Sequence, residues 1–122
     1  MGCVAVGDVI LRSSYAGLIH YGVVIGFDAQ RWPVMAHNSP SAGGIVSTSF
    51  HEFLGKHNIL GVRKFSGSIG SLEARLNESS KQPYNAITWN CETFVNYVQK
   101  GEAYSSQTRT ILALSTLIFL TI

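Results

Sequence analysis

Short blocks of apolar and β-branched residues, separated by polar turns, make up much of the first half of the chain. Residues 21–26 form a continuous apolar run, which is the pattern of a buried strand. Residues 33–37 form a second run, and a loop over 28–32 would join the two as an antiparallel hairpin. Residues 38–44, rich in Ser, Pro and Gly, predict a loop. Three further strands are predicted at residues 8–12, 45–47 and 58–65.

Helical spacing appears at three places further along the chain. The predicted helices cover residues 49–54, 71–76 and 91–100. Asn90 stands where an N-cap belongs, and Lys100 and Gly101 fit the basic last turn and the C′ glycine of the last helix. Four of its positions fall at i, i+3, i+4 and i+7 and share one face: Cys91, Phe94, Val95 and Val98. Strands early and helices late favour the α+β class.

Residues 110–122 are thirteen residues without a charge. As a helix they would extend about 20 Å, which is less than the ~30 Å hydrocarbon core of a bilayer. They could form a buried terminal helix, a membrane anchor in one leaflet, or part of a spanning segment. Because apolar residues surround the whole helix wheel, we favour membrane attachment. The sequence therefore predicts a compact domain over residues 1–104, and a polar linker with a hydrophobic segment over 105–122.

Composition narrows the classes of function. The chain has 122 residues, of which 46% are hydrophobic, and this is enough for one globular domain. Its nine basic residues are scattered and the net charge is +2, so we expect no nucleic-acid partner. Two cysteines cannot build a disulfide framework, and a Cys3–Cys91 bridge is disfavoured. A reducing compartment fits best and leaves a thiol free for chemistry.

Cys91 is the first candidate for that chemistry. At the start of a capped helix, the macrodipole and free backbone N–H groups would lower the pKa of its thiol. The same N–H groups could stabilise an oxyanion. The alternative is that Cys91 is a small apolar residue on the buried face of its helix, which is the commoner role of a lone cysteine.

A nucleophilic cysteine needs a base, and histidines are available in the predicted hairpin. His20 precedes the strand at 21–26 and His37 ends the strand at 33–37, so pairing would place both rings on one face. Either could instead be a hydrogen-bonded structural residue, and His51 and His57 are interpreted as surface residues. A zinc site formed by Cys91, His20 and His37 is disfavoured, because close-spaced ligand pairs are missing. We expect neither a metal nor a cofactor.

Three blocks of the sequence carry a family resemblance: Gly7-Asp8-Val9-Ile10, His20-Tyr21-Gly22-Val23-Val24-Ile25-Gly26, and Asn90-Cys91-Glu92-Thr93-Phe94-Val95-Asn96. Together they resemble the H-box and NC motifs of the lecithin retinol acyltransferase-like family. That family includes the HRAS-like suppressor phospholipase/acyltransferases and is a circularly permuted relative of NlpC-type, papain-like cysteine hydrolases. Tyr21 stands where the family often has Trp, and Thr93 where many members have His.

The resemblance implies a fold and a chemistry. The fold would be a small antiparallel sheet packed against helices. Cys91 would match the nucleophile, His20 the general base, and His37 the histidine that orients the base. The substrate would be a phospholipid or a related lipid ester, cleaved through an acyl-cysteine thioester.

The resemblance also bears on the setting of this chemistry. Many family members end in a hydrophobic anchor, so we expect this protein at the cytoplasmic face of a membrane. We also expect a monomer. Two alternatives stay open. One is an NlpC-type cysteine amidase or peptidase, and the other is a non-catalytic H-box/NC interaction module.

Overall fold

The computed structural model describes residues 3–108, which form an α+β domain built on one five-stranded antiparallel sheet. The strands follow the order β4-β3-β2-β1-β5 across the sheet. Their bounds are β1 Val9–Ser13, β2 Ile19–Phe27, β3 Pro33–Ser39, β4 Gly44–Ser49 and β5 Ile59–Arg63. The helices are α1 Phe50–Leu54, α2 Ile69–Ser79 and α3 Cys91–Lys100, and a 3₁₀ turn covers Tyr15–Gly17.

Two apolar clusters lie on the two faces of the sheet. Because side chains alternate along a strand, adjacent residues such as Val9 and Ile10 are both fully buried, but in different clusters. The first cluster packs α2 and α3 on the sheet, and its fully buried members include Val9, Val23, Leu72, Phe94, Val95 and Val98. The second packs α1 on the other face and contains Ile10, Val24, Met35, Phe50 and Phe53. The expected α+β class and antiparallel sheet are confirmed.

Backbone pairing extends β2, β3 and β4 beyond their predicted bounds at both the His20 and the His37 ends of the hairpin. β2 begins at Ile19, which pairs with Ser13, so His20 lies inside the strand and not before it. β3 continues past His37 because Ser39 pairs with Gly44 of β4. The predicted loop over 38–44 is therefore too long at both ends, because residues 38–39 belong to β3 and Gly44 begins β4. Ladder hydrogen bonds stabilise extended backbone there, whatever the local propensity of Ser and Gly.

The Gly7-Asp8 block has a structural role in this fold. Asp8 is buried, and its carboxylate accepts hydrogen bonds from the N–H groups of Ala5 at 2.9 Å and Phe65 at 2.8 Å. Lys64 Nζ lies 3.1 Å away in an ion pair. Burial alone would raise the pKa of Asp8, but the hydrogen bonds from Phe65, Ala5 and Lys64 outweigh it and lower that pKa. Asp8 thus ties the start of β1 to the end of β5.

The segment after α3 leaves the helix and returns to the domain. Ser105 is buried and Gln107 contacts the start of β2, so the residues predicted as a polar linker pack on the fold as far as Thr108. The uncharged run at 110–122, and the membrane attachment expected of it, lie outside the described residues. Within residues 3–108, no helix combines the length and the apolar character needed to cross a bilayer.

Candidate active site

Helix α3 begins at Cys91 with the predicted N-cap. Asn90 Oδ1 accepts the backbone N–H groups of Glu92 and Thr93, both at 3.0 Å. Thr93 Oγ1 accepts the N–H of Asn90 in return at 2.6 Å, which completes a capping box. Thr93, where many members of the resembled family have His, therefore helps to fix the helix start. Gly101 ends the helix with the positive φ of 75° that favours glycine.

Strand β3 holds the loop that precedes Cys91. Asn38 is fully buried, and its Nδ2 donates to the carbonyl oxygens of Trp89 at 2.8 Å and Asn90 at 3.2 Å. Asn38 directly follows His37 in β3. One strand therefore carries a histidine of the candidate site and anchors the start of α3 with its next residue.

The two predicted histidines meet, as the hairpin indicated. His20 Nε2 lies 2.8 Å from His37 Nδ1, and the rings are nearly perpendicular. Phe53 of α1 supports the pair, with its ring centroid 5.7 Å from that of His20 and 5.5 Å from that of His37. Phe53 fits because Gly22 has no side chain: a Cβ at that position would lie 2.5 Å from Phe53 Cε1.

The hydrogen bond between the rings restricts their tautomers. If His20 is to accept a proton at Nδ1, its own proton must sit on Nε2 and be donated to His37 Nδ1. His37 then carries its proton on Nε2. In this arrangement His37 fixes the orientation of His20 and leaves His20 Nδ1 available as a base.

Cys91 and His20 line the same cavity, which has a volume of about 280 Å³. Cys91 Sγ lies 3.8 Å from the carbonyl oxygen of Ile19, the residue before His20. Asn90 accepts the N–H groups of Glu92 and Thr93, whereas the N–H of Cys91 lies where it favours negative charge on its own sulfur. It is the natural donor for an oxyanion formed beside Sγ.

Burial controls the electrostatics of the site. It raises the pKa of the Cys91 thiol above its ordinary value of 9.0, and the Glu92 carboxylate adds to this effect. The expected lowering at the helix N-terminus is therefore wrong here: the N–H groups of Tyr21, Glu92 and Cys91 favour the thiolate, but desolvation outweighs them.

The histidines respond to the same environment. Burial, followed by the charges of His37 and Arg12, lowers the pKa of His20 to about 3. Burial and Arg12 lower the pKa of His37 to about 4. At neutral pH the site therefore holds a neutral thiol and two neutral imidazoles, and not a thiolate–imidazolium pair.

The other two histidines pack against aromatic rings outside this pair. His51 packs against Trp32, with ring centroids 4.8 Å apart, and His57 against Tyr15, at 5.1 Å. In the part of the chain that the structure describes, no three His, Cys, Asp or Glu side chains are grouped to hold a metal ion.

Sequence reasoning missed two residues beside the site. Gln107 bridges both backbone polar groups of Ile19, accepting its N–H at 2.8 Å and donating to its carbonyl at 3.0 Å. Glu92 is buried, and its carboxylate accepts from Ser105 Oγ at 2.8 Å, Ser106 Oγ at 2.7 Å and the Gln107 N–H at 3.1 Å. Gln107 also lines the cavity that contains Cys91. The carboxylate of Glu92, inside the NC block, was the feature of the sequence that could have indicated this contact. Its hydrogen-bond partners, at residues 105–107, lie outside that block.

No family model, curated protein or solved structure matches this chain. The resemblance to the lecithin retinol acyltransferase-like family therefore rests on the three sequence blocks alone.

Proposed function

We propose that this protein is a cysteine-dependent acyl hydrolase or acyltransferase that acts on phospholipids or related lipid esters. Cys91 is the nucleophile, His20 the general base, and His37 the residue that orients His20. The observation that carries the proposal is the 2.8 Å contact between His20 Nε2 and His37 Nδ1. His20 also lines the same cavity as Cys91, which lies at the N-terminus of α3.

The first half of the reaction starts from neutral groups. Cys91 Sγ attacks the ester carbonyl carbon while its proton passes to His20 Nδ1, so no thiolate accumulates beforehand. The π electrons of the carbonyl move to its oxygen, where the Cys91 N–H stabilises the negative charge. The imidazolium formed at His20 is held by its hydrogen bond to His37.

The intermediate then collapses. The oxygen restores the carbonyl, the carbon–oxygen bond to the alcohol breaks, and His20 returns its proton to the departing alcohol. An acyl thioester remains on Cys91. Water, or an amine or alcohol acceptor, then attacks the thioester while His20 takes the proton of the incoming group. The carbon–sulfur bond breaks, and the leaving sulfur recovers the proton held by His20, which regenerates the free enzyme.

Lipid esters are proposed from the motif resemblance, together with two features of this chain. The cavity beside Cys91 is lined by apolar and uncharged polar residues, among them Leu18, Pro40 and Tyr84. The uncharged segment at 110–122 would keep the enzyme close to a lipid surface, at the cytoplasmic face of a membrane. The proposed fold, within the α+β class, is the circularly permuted papain-like arrangement of NlpC-type hydrolases.

The raised pKa of Cys91 favours a second candidate, a non-catalytic interaction module that keeps the same fold. An NlpC-type amidase or peptidase is a further enzymatic alternative from the sequence, but the hydrophobic segment favours lipid substrates over it.

The test is release of fatty acid from phosphatidylcholine micelles. We expect Cys91→Ser and His20→Gln to lose more than about 99% of the activity, and His37→Gln to lose about tenfold or more, since general-base catalysis contributes about 10²–10⁴-fold. His51→Gln, a histidine outside the site, is the matched control and should keep full activity. Equal release by the native chain and Cys91→Ser would refute the proposal. Release from a peptide in place of the lipid would favour the amidase.

A further inference from the structure

Exposed apolar side chains flank the opening of the cavity that contains Cys91. Leu18 lines this cavity and is 44% exposed. Ala86 lines it on another loop, and the next residue, Ile87, is 58% exposed. Tyr15, at the start of the 3₁₀ turn before Leu18, is 80% exposed. We call Tyr15, Leu18 and Ile87 the apolar rim.

The last described residue, Thr108, lies beside this rim. It lines the catalytic cavity together with Leu18. It also lines a neighbouring cavity together with Ile87. Thr108 therefore lies where the two cavities meet, and the thirteen uncharged residues at 110–122 follow it in the sequence after Arg109.

The residues that line the two cavities carry no formal charge at neutral pH. Among the described residues that line them, none is Asp, Glu, Lys or Arg. Arg12 acts on Cys91 and Tyr15 from outside these linings. The linings themselves gain free energy chiefly by burying apolar side chains. A polar protein surface would leave Leu18 and Ile87 unmatched, whereas the interface of a neutral bilayer accepts them.

We infer that the apolar rim inserts into the interface of a zwitterionic lipid bilayer, so that the opening beside Cys91 faces the membrane from which the substrate comes. The inference rests on the proposed function for its substrate class. It adds that the folded domain itself, and not only the segment at 110–122, contacts lipid. An ester drawn from the bilayer would then reach Sγ without crossing bulk water.

The test is sedimentation of the full chain with phosphatidylcholine vesicles, in a Cys91→Ser background so that turnover plays no part. Leu18→Gln combined with Ile87→Gln should weaken partitioning about tenfold or more, because each loses apolar burial in the interface. The matched control combines Leu60→Gln and Ile69→Gln, whose side chains are 55% and 48% exposed on β5 and α2. This control should stay within about twofold of the parent.

Three outcomes would overturn the inference: equal losses in the two double variants, no loss in the rim variant, or binding that requires anionic lipid and disappears in salt. Circular dichroism checks that both double variants are folded. Because the background lacks the thiol, a failure here leaves the proposed reaction open. Conversely, vesicle binding without fatty acid release from the Cys91 protein would count against the reaction alone.

Discussion

His20 Nε2 and His37 Nδ1 lie 2.8 Å apart, although the two residues are separated by a full hairpin of two strands and a loop. The contact gives His20 a fixed orientation before any substrate arrives. It also places two ionisable rings in a buried setting that disfavours their charged forms. The same pair therefore governs both the proposed chemistry and the response of the fold to acid.

The first prediction concerns stability against pH. Burial lowers the pKa of His20 to about 3 and that of His37 to about 4, from an ordinary 6.5. At a pH between these lowered pKa values and 6.5, the two histidines are protonated in the unfolded chain and neutral in the folded protein. The free energy of unfolding should therefore have its full value above about pH 6.5. In more acidic solution it should fall by about 1.4 kcal/mol per pH unit for each histidine.

Urea unfolding at several pH values checks this expectation. His20→Gln should remove about half of the slope between about pH 5 and pH 6, since His37 keeps its own lowered pKa through burial and Arg12. The control His51→Gln, at an exposed position on α1, should leave the slope unchanged. A native protein whose stability is flat over this range would contradict the neutral, buried pair.

The second prediction concerns Gly22, which leaves room for Phe53 beneath the histidines. A methyl group there would lie 2.5 Å from Phe53 Cε1 and 3.1 Å from Met35 Cε. Gly22→Ala should therefore destabilise the fold by about 1–3 kcal/mol, as overpacking does, and lower activity by displacing Phe53.

Gly26 provides a matched control in the same strand. A Cβ at Gly26 meets no atom within 4 Å. Gly26→Ala should therefore be neutral, or stabilise by up to about 1 kcal/mol. Thermal or urea unfolding measures the change in stability of Gly22→Ala and Gly26→Ala under the same conditions. Equal effects would show that the space at Gly22 has no special role.

Local patterns predicted the parts of the site whose contacts are close in sequence. The capped start of α3 depends on residues 90–93, and the meeting of His20 with His37 depends on one hairpin. The bridge from Gln107 to Ile19 joins residues 88 positions apart, and nothing in a polar Ser-Ser-Gln-Thr run indicates it. The direction of the Cys91 pKa could not be predicted either, since it depends on how deeply tertiary packing buries the helix start.

The third prediction tests the state of the thiol. Because burial raises the pKa of Cys91, iodoacetamide should alkylate it more slowly at neutral pH than it alkylates the exposed Cys3 of the same chain. The Cys91 rate should increase only at a pH above the range in which an ordinary thiol ionises, since burial raises the pKa of Cys91. Peptide mass spectrometry measures both sites in one sample. Faster reaction of Cys91 than of Cys3 in mildly acidic solution would instead indicate a thiolate–imidazolium pair.

The fourth prediction concerns Glu92, which holds the segment after α3. Burial alone would raise the pKa of Glu92, but hydrogen bonds from Ser106, Gln107 and Ser105 outweigh it and lower that pKa. Glu92→Gln replaces an acceptor of three hydrogen bonds with an amide that cannot accept them all, which should cost about 1.5–3 kcal/mol. The loss should be concentrated at residues 105–108.

Hydrogen exchange resolves where the effect lies. In Glu92→Gln, amide exchange at 105–108 should accelerate about tenfold or more, while β2 and α3 stay protected. Glu73→Gln, at an exposed position on α2, is the matched control and should change neither region. Unchanged protection at 105–108 in Glu92→Gln would refute the anchoring role of the carboxylate.

The central claim is that Cys91 forms an acyl thioester with a lipid ester, and intact-protein mass spectrometry tests it most directly. The full chain and its Cys91→Ser variant are each incubated with phosphatidylcholine micelles and analysed before and after hydroxylamine treatment. The account predicts a fatty-acyl mass on the native chain that hydroxylamine removes, and no such mass on Cys91→Ser. The absence of both an adduct and released fatty acid, or identical spectra from the two proteins, would contradict it.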